Sequence, residues 1–509
     1  MRVFLLILLT SLAALVNAQD IRVYGSVTNS LNNEPIPFAN IVIDGTTIGS
    51  TTDFDGNFEM EGIAPGLYNF KCSYIGFNTS IKTEIQLTPN KNLRLNFAMT
   101  ENAQIIEEVQ VTANTFNKTE ESPTSLRTIN ASEIYRSPGG NRDISKVIAN
   151  LPGVSSTPSF RNDIVIRGGA PNENRFFLDG VEIPNINHFA TQGSSGGPVG
   201  IINVNFIREV DFYSGAFPAN RGNALSSVME LKQIEGSDEE FSGSFMLGSS
   251  DAGLTINTPL SEKSTMLISA RRSYLQFLFQ ALQLPFLPTY NDIQFKLTHK
   301  PDKKNQFNII GLAAIDEFTL NPEANDGIDD PQRLAQNEYT LNNLPVNEQW
   351  NYTLGGTWKR FFDNSNLFVV LSRSHLNNTA VKYADYADLT SQKLIDYESQ
   401  EIENKSRVEY NFRENNIKFN VGISVEDATY LNSTNRVLTS GDSIYNKLVE
   451  TDLHFIKYGA FAQLSKTYLV DRLVTSIGFR MDGNSFTENT TTPNFSPRLS
   501  LSYNLSGKS

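Results

Sequence analysis

Residues able to do chemistry are few in this chain and lie far apart. Gly193-Ser194-Ser195-Gly196-Gly197 fits the G-x-S-x-G spacing of serine hydrolases, a motif that works only as a sharp turn between a strand and a helix. Here Pro198 follows in a polar loop, so no nucleophile is expected. The histidines His188, His299, His375 and His454 are scattered, and none starts a zinc-protease pattern. Asp53-Phe54-Asp55-Gly56 opens like a calcium loop, but the later glutamate that completes such a loop is missing. A hairpin turn is the better reading. Cys72 is the single cysteine. No internal disulfide can form, and its strand-like setting predicts a buried side chain. No catalytic residue, metal ligand or cofactor is expected.

The composition narrows the setting. The chain has 509 residues, a formal net charge of −13 and a pI near 5.0, which argues against nucleic acid as a partner. Arg2, the apolar run "VFLLILLTSLAALV" and Val16-Asn17-Ala18 read as a signal peptide over residues 1–18. An uncleaved anchor is the alternative, but the run is short for a span. No other continuous apolar run is long enough for a transmembrane helix. If the mature protein lies in a membrane, it must cross with strands closed into a barrel.

The elements that position these residues follow from local pattern. Residues 20–99 read as a small β-sandwich, with short strands ("IRVYGSV", "FANIVI", "GNFEM", "YNFKCSY", "LRLNFAM") divided by turns. Residues 101–125 are a polar linker with one β-prone island: Ile105, Ile106, Glu107, Glu108, Val109, Gln110 and Val111. It can add as a strand to a partner's sheet or serve as a plain connection. Residues 126–235 mix both element types in an α+β domain. Asp143 can cap a helix carrying Ile144, Val147, Ile148 and Leu151. Asp179-Gly180 supplies a tight hairpin turn, and Gly168 and Gly169 permit backbone angles that other residues resist.

From residue 236 to 509 the pattern is strand, turn, strand, loop. In "WNYTLGGTWKRFF", 350–362, Trp350, Tyr352, Leu354, Gly356 and Trp358 share one face. Asn351, Thr353, Gly355, Thr357 and Lys359 share the other. Ile417, Phe419, Val421, Ile423 and Val425 alternate likewise with Lys418, Asn420, Gly422, Ser424 and Glu426. Short connectors (300–305, 362–365, 413–415, 466–471) alternate with long polar ones (273–290, 317–349, 376–401, 427–452, 484–495). Transmembrane barrels have this asymmetry, with tight turns at one rim and long loops at the other. Eight residues from Trp350 to Trp358 cover about 26 Å of strand. At the usual tilt that is roughly 19–22 Å of membrane depth, with a Trp at each interface. On this geometry Leu354→Arg should be costly, and Thr353→Arg should be tolerated in a polar lumen.

Three stretches carry a resemblance. "FANIVIDGTTIGSTTDFDGNFEMEGIAPGLYNFKCSYIGF" resembles the carboxypeptidase-regulatory-like (transthyretin-like) domain. "IRGG", "FFLDGVEIP" and "IREVDFYSGAFPANRGNALSSVMELK" resemble the plug domain of TonB-dependent outer-membrane receptors. "IIEEVQVTA" resembles their TonB box as found in Bacteroidetes-type members. The resemblance implies a mainly β protein: signal peptide, transthyretin-like sandwich, α+β plug and partial antiparallel transmembrane β-barrel in the outer membrane. It implies TonB, with its inner-membrane energising complex, as partner of residues 105–111, and active uptake of a scarce extracellular ligand. A siderophore, metal complex, peptide or glycan all fit. The plug lacks a longer glycine-rich signature, which argues against a SusD-like lipoprotein partner. A ligand-sensing signal transducer and a soluble adhesion or carbohydrate-binding β-protein are the rival readings.

The plug motif comprises Arg167, Gly168, Gly169, Asp179 and Gly180. Arg167 and Arg175, with Asp179 and Glu182, either pair the plug to the barrel wall or lie on solvated faces. The loop 185–200 either faces outward, with His188 and Phe189 as ligand-touching residues, or is a plain loop. Twelve strands are expected by residue 505, against the 22 of complete family barrels, so a fragment or incomplete gene product is expected.

Overall fold

The structure is a computed structural model. It describes residues 21–89, 92–101, 120–121, 126–156, 161–191, 196–248, 250–440, 443–469, 472–486 and 493–503. The signal peptide over 1–18 and the segment Ile105, Ile106, Glu107, Glu108, Val109, Gln110 and Val111 lie outside the described residues. The chain divides into two compact units, one reaching Asn114 and one beginning at Thr115.

The first unit is a two-sheet sandwich. Ile21–Asn29 pairs with Asn57–Ile63, Leu93–Arg94 and Phe97–Met99, while Asn40–Ile43 lies between Gly49–Thr51 and Gly66–Ser73, the latter also pairing Ser80–Leu87. Alternate residues point inward and build one core that includes Val23, Val27, Ile41, Phe58, Phe70, Cys72 and Phe97. The 53–56 run is a tight turn but not a hairpin: it joins Gly49–Thr51 to Asn57–Ile63, which belong to different sheets. Asp53 Oδ1 accepts from the backbone N–H groups of Asp55 and Asn57 at 2.9 and 2.7 Å, and Gly56 has φ +76°. The side chain therefore caps its own turn. Cys72 is fully buried, and burial pushes its thiol up to about 12.

The second unit contains a plug and a wall. The plug is a five-stranded sheet in the order Val181–Ile183, Asn174–Leu178, Ser227–Gln233, Ile207–Tyr213, Leu126–Asn130. The helix Ile144–Ile148 begins as its spacing predicts, with the Asp143 carboxylate accepting from the Ser145 N–H at 2.8 Å. Burial raises the Asp143 pKa despite these hydrogen bonds. Asp179 (φ +46°) and Gly180 (φ +89°) turn the expected hairpin.

The wall is one twelve-stranded antiparallel sheet in sequence order. Its strands are Ser242–Leu247, Asp251–Ser261, Ser264–Ser273, Phe286–Asp302, Asn305–Leu320, Val346–Phe362, Ser365–Tyr383, Lys393–Glu414, Ile417–Ser440, Ser443–Tyr468, Leu473–Asn484 and Asn494–Tyr503. The plug touches it from the second strand to the twelfth, for example Asn203 to Thr255, Asp179 to Lys296 and Phe217 to Arg498. One compact body can touch so many consecutive strands only if the sheet curls around it. Among the described residues the first and twelfth strands each have a single neighbour.

The wall is inside out. Its exposed face carries Leu354 (50% exposed), Leu371 (59%), Ile477 (61%) and Leu499 (77%), while Gln294, Thr357, Ser374, Gln463 and Ser476 are buried. A soluble sheet places these types the other way round. Trp358 stacks on Phe307 at 6.1 Å and donates to Asn305 Oδ1 at 3.1 Å near the short-turn rim. Trp350 lies toward the opposite rim, against Tyr352 and His375.

Two expectations need correction. Residues 376–401 and 427–452 are mostly not loops. The ladder continues as far as Ser440↔Ser443, and only the apolar alternation stops, so periodicity could not reveal these strand ends. Thr353 does not face open water. It is buried, with its hydroxyl 3.0 Å from that of Ser374, and neighbouring Gly355 sits against Val181 of the plug. The plug fills the space assumed to be lumen.

Candidate functional site

The candidate site is the interface of plug and wall, held by charges that periodicity places on the wall's inner face. The eighth strand presents Glu401, Glu403, Lys405, Arg407 and Glu409 at every second position. Lys405 Nζ binds Glu182 Oε1 of the plug at 2.9 Å and Glu403 at 2.7 Å. Burial opposes ionisation of Glu182, but Lys405 and Arg175 outweigh it and hold its carboxyl below the usual range. Glu409 receives Arg407 at 2.7 Å and Arg221 of the plug at 3.3 Å. Arg221 also binds Glu230 at 2.8 Å and lies 4.6 Å above the Phe177 ring. Burial works against its charge, yet the two carboxylates raise its pKa further.

The hairpin turn of the plug reaches the wall at the fourth and eighth strands. Asp179 Oδ2 pairs with Lys296 Nζ at 2.7 Å, and the Gly180 carbonyl accepts from Arg407 at 2.8 Å. The Gly180 Cα faces the Phe368 ring so closely that a Cβ would stand 2.9 Å from it. Arg167 is elsewhere. It is exposed at φ +50°, and its N–H donates to Gly153 in a turn with Gly168 and Gly169. Arg175 pairs with Glu182 inside the plug at 3.7 Å. Of the four charges weighed in the sequence, Asp179 and Glu182 therefore reach the wall.

His188 does not face outward. Its side chain is 0% exposed, with Nδ1 2.7 Å from Asp316 Oδ1 and Nε2 3.1 Å from Asp292 Oδ2. The Phe189 N–H donates to Asp316 Oδ2 at 2.7 Å, and Phe189 is only partly buried. The physical reason is charge: two wall carboxylates inside the sheet draw in the one basic side chain of this loop. Of the glycine–serine run, Gly196 and Gly197 are described, and the Gly197 N–H donates to the His188 carbonyl.

Sequence reasoning missed Arg271, Asp292, Lys296, Asp316, Lys405, Arg407, Glu409 and Arg221. The available signal was a charge at an inner-face position of a strand, repeated five times along the eighth. It also missed the ties at Glu120 and Glu121. Arg413 binds Glu120 at 2.5 Å, Lys418 binds Glu121, and Gln463 donates to the Glu121 carbonyl at 3.1 Å. Arg413 and Lys418 flank a short turn, so this part of the chain is held at the short-turn rim.

Two adjoining crevices separate plug from wall, of about 330 and 280 Å³. Glu182, Asn223 and Lys405 line both. The interface joins ion pairs to apolar packing of Ile310, Leu312 and Val370 on the plug core, with no group of three or more His, Cys, Asp or Glu able to hold a metal among the described residues.

Comparison with known proteins decides the family. Residues 23–111 match the CarboxypepD_reg-like domain, and residues 118–228 match the TonB-dependent receptor plug domain. The chain thus carries a plug domain of the TonB-dependent receptor type behind a CarboxypepD_reg-like domain. It is similar to the TonB-dependent receptor SusC of Bacteroides thetaiotaomicron, 31% identical over 33% of this chain and 17% of the relative. It is similar to the TonB-dependent transporter Oar of Myxococcus xanthus, 23% identical over 45% of this chain and 21% of the relative. The matched stretches thus span about a fifth or less of those relatives. Among solved structures, the ferric enterobactin receptor PfeA of Pseudomonas aeruginosa superposes with a TM-score of 0.55 at 16% identity, over 75% of this chain and 60% of that one. The siderophore receptor PirA of Acinetobacter baumannii gives 0.53 at 13% identity, over 75% and 59%. These likenesses establish the fold of this chain: a plug inside an antiparallel wall.

Proposed function

We propose that the protein takes part in TonB-dependent active uptake of a scarce extracellular ligand across the outer membrane, after export by its signal peptide. One observation carries the reading: a wall apolar outside and polar inside surrounds a plug that ion pairs hold in place. The apolar face suits lipid. The plug closes the interior, held by these charged contacts and by apolar packing of Ile310, Leu312 and Val370 of the wall on its core. Residues 105–111 are the segment that pairs as a strand with TonB. The ties at Glu120 and Glu121 support this, because they hold the chain nine residues further on at the short-turn rim, the periplasmic side on this reading.

The ligand class stays broad: siderophore, metal complex, peptide or glycan. PfeA is named as a ferric enterobactin receptor and PirA as a siderophore receptor, which favours a siderophore among these classes. A SusD-like lid does not enter this reading. The test is deletion of residues 105–111, followed by accumulation of radiolabelled ferric enterobactin, a labelled peptide mixture and labelled oligosaccharides in energised cells. Uptake of one probe should fall to the level of uncoupler-treated cells while surface expression stays normal. Undiminished uptake of a probe that depends on this protein removes the segment from the mechanism.

A further inference from the structure

We propose that protonated His188 is a charge-dependent latch that pins the plug loop 184–191 to the wall and opens when the imidazole loses its proton. The inference rests on packing and is independent of what the receptor carries. Each ring nitrogen of His188 faces a carboxylate, Asp316 from Nδ1 and Asp292 from Nε2. A neutral imidazole has one donor nitrogen and one lone pair. With both carboxylates ionised, either tautomer would aim that lone pair at an anion, so the doubly protonated ring is the one that satisfies both contacts.

Charge balance leads to the same state. Arg271 Nε sits 3.0 Å from both oxygens of Asp292 and neutralises it, while its Nη2 donates to the carbonyls of Gly200 and Ile201. Asp316, 1% exposed, has the Phe189 N–H and His188. Without the His188 proton its charge is buried with no cation against it, a costly arrangement. The Tyr290 ring lies 4.3 Å from the imidazole and covers it from the fourth strand.

The latch acts on the loop backbone. Phe189 N–H donates to Asp316, Ala190 N–H donates to Gln349 Oε1 at 3.1 Å, and Gln349 donates back to the Ala190 carbonyl. Pro184, Asn185, Ala190 and Thr191 of the same loop line the 280 Å³ crevice. Releasing His188 therefore loosens one side of a cavity between plug and wall.

The titratable and charged groups around the ring are Asp292 and Tyr290 on the fourth strand and Asp316 on the fifth. Arg271 on the third strand and Asp251 on the second act through them. On the plug side Asp143 and Asp163, the latter paired with Arg161, serve the loop's own hydrogen bonds. Burial alone would lower the His188 pKa, but Asp316 and Asp292 outweigh it and lift it to about 9. A raised folded-state pKa gives stability that is full below the ordinary histidine value and is lost as pH rises through about 9.

Amide hydrogen exchange on the full chain in detergent micelles, corrected for intrinsic rates, tests this between pH 7 and 10.5. Protection at Phe189 and Ala190 should fall about tenfold or more as pH passes about 9, while Ile310 and Leu312 in the wall stay protected. His188→Asn should give low, pH-independent protection at the two loop amides. Asp316→Asn should move the midpoint down by about a unit or more. Wild-type protection that stays flat to pH 10.5, or a step that persists in His188→Asn, overturns the proposal. Should His188→Asn lose wall protection, the wild-type profile and the Asp316→Asn midpoint decide, and an unmoved midpoint also overturns it.

Discussion

Neighbouring residues on one wall strand meet opposite surroundings, and their substitutions should fail in different ways. Leu354 is half exposed on the apolar face, and Leu354→Arg should cost about 2–4 kcal/mol of barrel stability in a bilayer. Its measure is urea unfolding in lipid vesicles. Thr353 is buried against Ser374 beside the plug. Thr353→Arg should leave the wall able to insert but displace the plug, seen as a new protease-sensitive plug on a barrel of normal heat-modifiable mobility. Glu409 is a third case. Glu409→Gln leaves Arg221 and Arg407 buried without their shared carboxylate, and should weaken plug docking by about 3–5 kcal/mol. Guanidinium titration followed by plug proteolysis measures it.

At the scale of elements, what was legible is what repeats locally. Alternation located all twelve wall strands, because an exposed apolar face on one side and the plug on the other impose period two on sequences such as Ile417 to Val425. Asp143 before Ile144 marked a helix start, and Asp179-Gly180 marked a turn, since both depend on adjacent residues. The plug–wall pairs were not legible. Glu182 and Lys405 are 223 residues apart, and a charge looks the same in sequence whether it is solvated or buried against its opposite. The burial of His188 between two wall carboxylates was not among the readings of its loop for that reason. The ends of the ninth and tenth strands near Ser440 and Ser443 were missed because the apolar alternation stops there. Residues 427–436 still pair with the eighth strand, whose ladder stops at Ile395↔Arg436, and 437–440 pair with 443–446 beyond its reach. A two-residue Asn-Gly turn in place of residues 437–446 should therefore change wall stability by less than about 1 kcal/mol, measured as the heat-modification temperature. Gly355→Leu should do the reverse. Its side chain would enter the space of Val181, so the plug hairpin should lose protection from proteolysis while the wall persists.

The wall inverts the arrangement of a soluble β-sheet, with buried polar side chains on its inner face and exposed apolar ones on the other. The mature protein should sediment with membranes on ultracentrifugation and require detergent to enter solution. A monomer in the supernatant without detergent would contradict both the lipid-facing wall and the uptake reading. The lone thiol has a practical corollary for such work. Cys72 is sealed in the sandwich core, with its sulfur 3.4 Å from that of Met99 and its ionisation suppressed. At neutral pH it offers almost no thiolate to an alkylating reagent. The native chain is thus a nearly silent background for maleimide labelling, and a cysteine placed on the plug loop or the wall can report its own environment without first removing the natural one.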